Sequence, residues 1–170
     1  SVQEMFDFVF EGFDLAFKYR NPVLLLSDGL IGQMMEKVEL CEQRPRNTEF
    51  DPSWTTTGKP SNRERNIITS LDLEASRQER HNLHLQEKYR KIEANEVRYE
   101  LLNTEDADYL FVAYGSSARI CQKAMQLARE ESIKIGLLRP ITLWPFPAKP
   151  LAELAPRMKG ILSVEQSAGQ

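Results

Sequence analysis

Cysteine and histidine are the first things this chain of 170 residues is short of, with two of each. Cys41 and Cys121 sit in unrelated contexts, so neither a disulfide framework nor a metal site can be built from them alone. An excess of basic charge is also missing: Lys and Arg number 22 against 25 Asp and Glu, a formal charge of −3. That balance gives no support to a nucleic-acid or anionic-membrane binder, which needs a basic surface. No apolar run approaches the roughly 20 residues that span a bilayer. The opening Ser1-Val2-Gln3-Glu4 shows no basic stretch leading into an apolar one, as a signal peptide would. The reading is a soluble, cytoplasmic protein with no nucleic-acid or membrane partner. What the chain does have is 41% hydrophobic residues, enough for a core. Its length suits one domain, or one domain and part of another.

Ser1 and Glu4 form a capping-box pattern that predicts a helix from the first residue to about Tyr19. Val2, Met5, Phe6, Val9, Phe13 and Phe17 recur at steps of three and four. Phe8, Phe10 and Leu15 fall off that stripe. A helix apolar most of the way round is buried on more than one side, yet little in the next forty residues could bury it. The chain therefore reads as a piece of a longer one, or as one covered by a partner. Self-association is expected, with Phe8 or Phe10 buried between copies. Asn21-Pro22 breaks the helix, and Val23-Leu24-Leu25-Leu26 predicts a strand buried in a parallel sheet. Asp28-Gly29 follows as a turn-former and cap, at the strand end where open α/β sheets place ligands.

Residues 43–65 have linker composition, with Pro45, Pro52, Gly58 and Pro60. Thr57-Gly58-Lys59 lacks both the earlier glycine and the following hydroxyl of a phosphate-binding loop. A long charged helix is predicted from about Glu74 to Leu102, with Leu85, Tyr89 and Ile92 on one narrow face. His81 and His84 stand three apart on it, but nothing nearby completes a metal site.

From Tyr109 the pattern becomes β-α-β-α-β. Tyr109–Tyr114, Lys134–Leu138 and Ile161–Val164 are apolar on both faces and predict parallel strands joined by helices. The intervening helices are expected at Ala118–Glu131, facing the core with Ile120, Ala124, Leu127 and Ala128, and at Leu151–Lys159. Residues 143–150 carry three prolines and are predicted not to be helical.

Gly115-Ser116-Ser117 is the turn with chemical potential. A glycine after a strand lets backbone N–H groups approach an anion, and the helix start adds favourable partial charge. Phosphate or carboxylate could bind there; equally, Ser116 could simply cap its own helix. Arg139 ends the next strand and either joins that site or pairs with a neighbouring acid. Cys121 reads as a small buried residue.

Residues 17–29, FKYRNPVLLLSDG, resemble a stretch in the alpha subunits of 2-oxoacid:ferredoxin oxidoreductases. So do AYGSSAR at 113–119 and, most specifically, GLLRPITLWPFP at 136–147. The resemblance covers the whole chain, with the 2-oxoisovalerate type nearest and the 2-oxoglutarate type close behind. It implies that residues 1–42 end a thiamine-diphosphate domain of the pyrimidine-binding type. Residues 43–105 are then linker and charged helix, and 106–170 a domain like the carboxy-terminal domain of transketolase, truncated. It also implies a reaction: decarboxylation of a 2-oxoacid on thiamine diphosphate, electron transfer through iron–sulfur clusters to ferredoxin, and acyl transfer to coenzyme A. Beta, gamma and delta-type subunits are the implied partners. The family's substrate-facing Tyr-Pro-Ile-Thr-Pro motif and its activating glutamate have no match here, and the diphosphate and Mg are expected on another subunit. No catalytic residue is assigned, no metal ligand, and no cofactor to this segment alone. Only Gly115, Ser116, Ser117 and Arg139 are held as a possible anion site. Other thiamine-dependent enzymes of the transketolase or branched-chain dehydrogenase beta type, or an anion-binding module, are the alternatives.

Overall fold

In the computed structural model, residues 1–40, 52–54, 56, 58, 59 and 61–167 are described. Cys41 and most of the proline-containing linker lie outside them.

Four strands make one mixed sheet: β1 (Tyr99–Leu102), β2 (Tyr109–Ala113), β3 (Ile135–Pro140) and β4 (Gly160–Val164), in the order β1-β3-β2-β4. β2 runs parallel to β3, with Val112 opposite Leu138, and parallel to β4, with Ala113 opposite Val164. The expected parallel β-α-β-α-β unit is present. The reason lies in β2 and β3, where successive residues are apolar and each face of the sheet is covered. Leu137 points to one side with Ala113, Ala118, Cys121 and Met125. Leu138 points to the other with Leu110 and Leu154. Leu110, Leu137 and Leu138 are wholly buried. Gly136 between them is required by close approach: a Cβ there would lie 3.0 Å from the carbonyl oxygen of Asn103.

The helices are α1 (Val2–Tyr19), α2 (Gly29–Gln33), α3 (Ala75–Asn95), α4 (Gly115–Glu130) and α5 (Ala148–Leu154). The capping box of Ser1 and Glu4 opens α1 as expected. Tyr89 and Ile92 of α3 do face inward; Ile92 is buried, and Tyr89 meets Trp144 edge-on at 5.8 Å between ring centres.

Four expectations are corrected. The long helix stops at Asn95, and Tyr99–Leu102 pairs antiparallel with β3, Leu101 opposite Leu138. A helix end without Gly or Pro left no mark in the sequence, while the exposed edge of β3 offered hydrogen bonds to a strand. The helix at 148–154 begins among the prolines, because Pro150 sits in its first turn, where no N–H partner is needed. On α4 the buried stripe is Ala118, Cys121 and Met125, while Ile120 and Leu127 are exposed. Finally, Val23–Leu26 is not a strand: nothing among the described residues pairs with it. It still alternates, since Val23 and Leu25 pack on Gly12 of α1, whereas Leu24 is 83% exposed.

Candidate functional site

The turn between β2 and α4 is built by one backbone conformation. Gly115 has φ +58°, in the left-handed region that glycine enters without strain. That rotation aims the N–H of Ser116 outward, and it donates to Oδ2 of Asp28 at 3.0 Å. The other carboxylate oxygen, Oδ1, accepts from the N–H of Ile31 at 2.8 Å. One carboxylate thus caps two helices, α2 and α4, from sequence positions far apart. The sequence reading of Asp28 as a cap holds for α2, and its bond to the start of α4 adds a partner that the local pattern does not show. The N–H of Ile31, then Ser116, hold its carboxyl below the usual 3.8. The fit is close: a Cβ on Gly115 would stand 3.2 Å from Oδ2.

Ser116 does not cap its own helix; Tyr114 is the N-cap residue and contributes no side-chain bond. The Ser116 hydroxyl accepts instead from Nε2 of Gln166, at 3.2 Å. Ser116 and Ser117 are both buried.

Arg139 makes its hydrogen bonds away from this turn. Its guanidinium donates to Oε2 of Glu100 at 2.8 Å and to Oε1 of Glu4 on α1. Its side chain is 17% exposed. Burial pushes the Glu4 carboxyl up, but the amino group of Ser1 and the Arg139 guanidinium outweigh that and hold it at about 2. Sequence reasoning missed the other polar ties of the first segment to the sheet. Arg119 donates to Oε1 of Glu36 at 2.6 Å, and Arg98 donates to Glu11. Oε1 of the buried Glu96 accepts from Lys18 Nζ at 2.7 Å and from the Tyr19 hydroxyl at 2.6 Å.

Beside the turn, α2 and the outer face of α4 frame an open cavity of about 570 Å³, lined chiefly by Leu30, Met34, Ile120, Leu127, Arg119 and Lys123. Cys121 lies on the opposite, inward face of α4, buried, and burial pushes its thiol pKa up. Among the described residues no three His, Cys, Asp or Glu side chains come together as a metal site. No helix among them is long and apolar enough to cross a membrane.

Residues 1–104 match the family described as pyruvate flavodoxin/ferredoxin oxidoreductase, thiamine diphosphate-binding. Residues 107–170 match pyruvate:ferredoxin oxidoreductase core domain II. Over its full length the chain is 48% identical to the ketoisovalerate oxidoreductase subunit VorB of Methanothermobacter thermautotrophicus, covering 48% of that protein. It is 33% identical to the 2-oxoglutarate synthase subunit KorA of the same organism, covering 52%. It therefore spans about half the length of these curated relatives. Among solved structures, a chain of the 2-oxoglutarate:ferredoxin oxidoreductase from Magnetococcus marinus, with 2-oxoglutarate, coenzyme A and succinyl-CoA bound, superposes with a TM-score of 0.67. That match covers 94% of this chain and 33% of the other, at 20% identity, and speaks for the fold.

Proposed function

The chain belongs to the 2-oxoacid:ferredoxin oxidoreductase family, and we propose that it is part of the subunit called alpha in an enzyme that oxidises a branched-chain 2-oxoacid. The substrate of this reading is 2-oxoisovalerate, the product its acyl-CoA, and the acceptor ferredoxin. One observation carries the choice of substrate. Full-length identity is 48% and 46% to two ketoisovalerate oxidoreductase subunits, but 33% and 30% to 2-oxoglutarate synthase subunits from the same two organisms.

Thiamine diphosphate, when bound, supplies the electron sink for decarboxylation. The described residues bring together no acidic or histidine cluster for a diphosphate-bound Mg ion, and hold no cysteine set for an iron–sulfur cluster. In this proposal the chain's contribution is packing: residues 1–42 close the thiamine domain, and 106–170 form the adjoining transketolase-like domain, joined by 43–105. The anion that the Ser116 N–H holds at the Gly115 turn is the chain's own Asp28 carboxylate. Any external phosphate or carboxylate would first displace it. Arg139 acts as the partner of Glu4 and Glu100.

The test is assembly of the full-length subunit that carries this segment with beta, gamma and delta-type subunits, followed by reduction of ferredoxin with coenzyme A and a 2-oxoacid; the 170-residue segment alone is expected to be inactive. Turnover with 2-oxoisovalerate at least tenfold above 2-oxoglutarate is the expected result. The reverse preference refutes the substrate assignment, and failure of these subunits to assemble with that full-length subunit refutes the whole reading.

A further inference from the structure

Residues 1–40 are attached to the sheet in an unusual way. Their apolar contacts are partly internal, with Val23 and Leu25 on Gly12 and Phe6 edge-on to Phe10 at 5.3 Å between ring centres; outward, Phe17 meets Trp54 at 5.6 Å, and Leu30 and Met34 border α4 across the open cavity. Apart from Gly12, their one buried residue is Ile31. Phe13 is 65% exposed. The polar ties to the sheet body are chiefly ionic. On α1, Glu4, Glu11 and Lys18 recur every seven residues, two helical turns apart, and so form one stripe. Facing them are Glu96, Arg98 and Glu100, two residues apart, which an extended chain presents on one side. The pairing runs antiparallel: Lys18 with Glu96, Glu11 with Arg98, and Glu4 with Arg139, which Glu100 also holds. At the far end, Asp28 takes the Ser116 N–H and Glu36 takes Arg119.

The signs are nearly uniform. The first segment supplies Glu4, Glu11, Asp28 and Glu36; the sheet body supplies Arg98, Arg119, Arg139 and a helix N-terminus. Among the described pairs Lys18 with Glu96 is the reversal, and it sets the register of docking, since sliding α1 by one heptad would place like charges together. The geometry points to a separable lobe: residues 1–40 dock on the sheet body through an ionic seam and leave it as a unit, while the sheet stays folded. Two features support this. The sheet has its own two-faced core, built without any residue of the first forty. The seam pairs are for the most part partly exposed, so salt screens them; the Debye length falls from about 10 Å at 0.1 M to about 3 Å at 1 M. A lobe held by apolar burial would not respond in this way. This inference is independent of the substrate assignment above.

Hydrogen exchange on the 170-residue chain, followed peptide by peptide, tests it. Raising NaCl from 0.05 to 1 M should accelerate exchange in α1 at least tenfold while β2 and β3 change less than twofold. Arg98→Glu should produce the same selective loss at low salt, and adding Glu11→Arg should restore at least half of it. Exchange in α1 that stays within twofold between the two salts overturns the proposal. So does loss of protection in α1 and β3 together, or a charge swap that restores nothing.

Discussion

Gly115 and Asp28 are coupled through a single contact, and a double-mutant cycle measures it. Gly115→Ala does two things. It places a side chain at φ +58°, which costs about 1–2 kcal/mol. It also puts a Cβ 3.2 Å from Oδ2 of Asp28, tighter than ordinary van der Waals contact. The carboxylate must retreat from the Ser116 N–H, and losing a cap of this kind costs about 1 kcal/mol. The expected total is about 2–3 kcal/mol. Asp28→Ala alone removes the caps of both α2 and α4, at about 1–2 kcal/mol. In the double variant the carboxylate is already gone, so only the strain remains to be added. The combined loss should fall short of the sum by about 1 kcal/mol, well outside the ~0.3–0.5 kcal/mol expected of independent sites. Thermal melts resolve this, since about 1 kcal/mol moves the midpoint by about 2–4 °C at this chain length. The coupling has a pH signature. The Asp28 carboxyl is held below 3.8 by the Ile31 and Ser116 N–H groups, so its contribution is complete above 3.8 and is lost as pH falls through the lowered value. Strictly additive losses at neutral pH would refute the idea that the turn is closed by Asp28.

Gly136→Ala should destabilise by about 1–3 kcal/mol, because its Cβ would meet the Asn103 carbonyl at 3.0 Å and Ala107 at 3.1 Å. An unchanged denaturation midpoint would show that the 103–107 loop yields at no cost. For Glu4, held at about 2 against an ordinary 4.5, the unfolded chain takes up its proton first as pH falls. Its contribution is therefore whole above about 4.5 and disappears as pH drops through about 2. Glu4 is partly exposed, so solvent screening limits that contribution to about 1 kcal/mol. Urea titrations of Glu4→Gln against the parent should show the gap closing between those pH values; a gap that is constant down to pH 2 contradicts the pairing with Arg139.

Local signals in the sequence were sufficient wherever the deciding interaction is local. The capping box at Ser1 and Glu4 satisfies the first N–H groups of its own helix, and α1 starts there. The two-faced apolar runs at 109–114 and 134–138 read as interior strands, and the strands that form there, Tyr109–Ala113 and Ile135–Pro140, are parallel neighbours. Gly115 was legible as a turn needing glycine, and its positive φ agrees. The family resemblance, carried by runs such as Leu138-Arg139-Pro140-Ile141-Thr142-Leu143-Trp144-Pro145, was legible for the same reason: short contiguous segments carry it. Tertiary structure alone decided the rest. Tyr99–Leu102 has no intrinsic reason to leave a helical pattern; the open edge of β3 makes it a strand. Two stripes on α4 were both apolar enough to face a core, and only packing on the sheet, beside Ala113 and Leu137, singles out Ala118, Cys121 and Met125. The anion that fills the Gly115 turn is a carboxylate from another part of the chain, as is the acid that claims Arg139. Even where such charges recur at a helical period, as Glu4, Glu11 and Lys18 do, the sequence does not name their partners, because a charge is satisfied by whatever opposite charge the fold brings within a few ångströms.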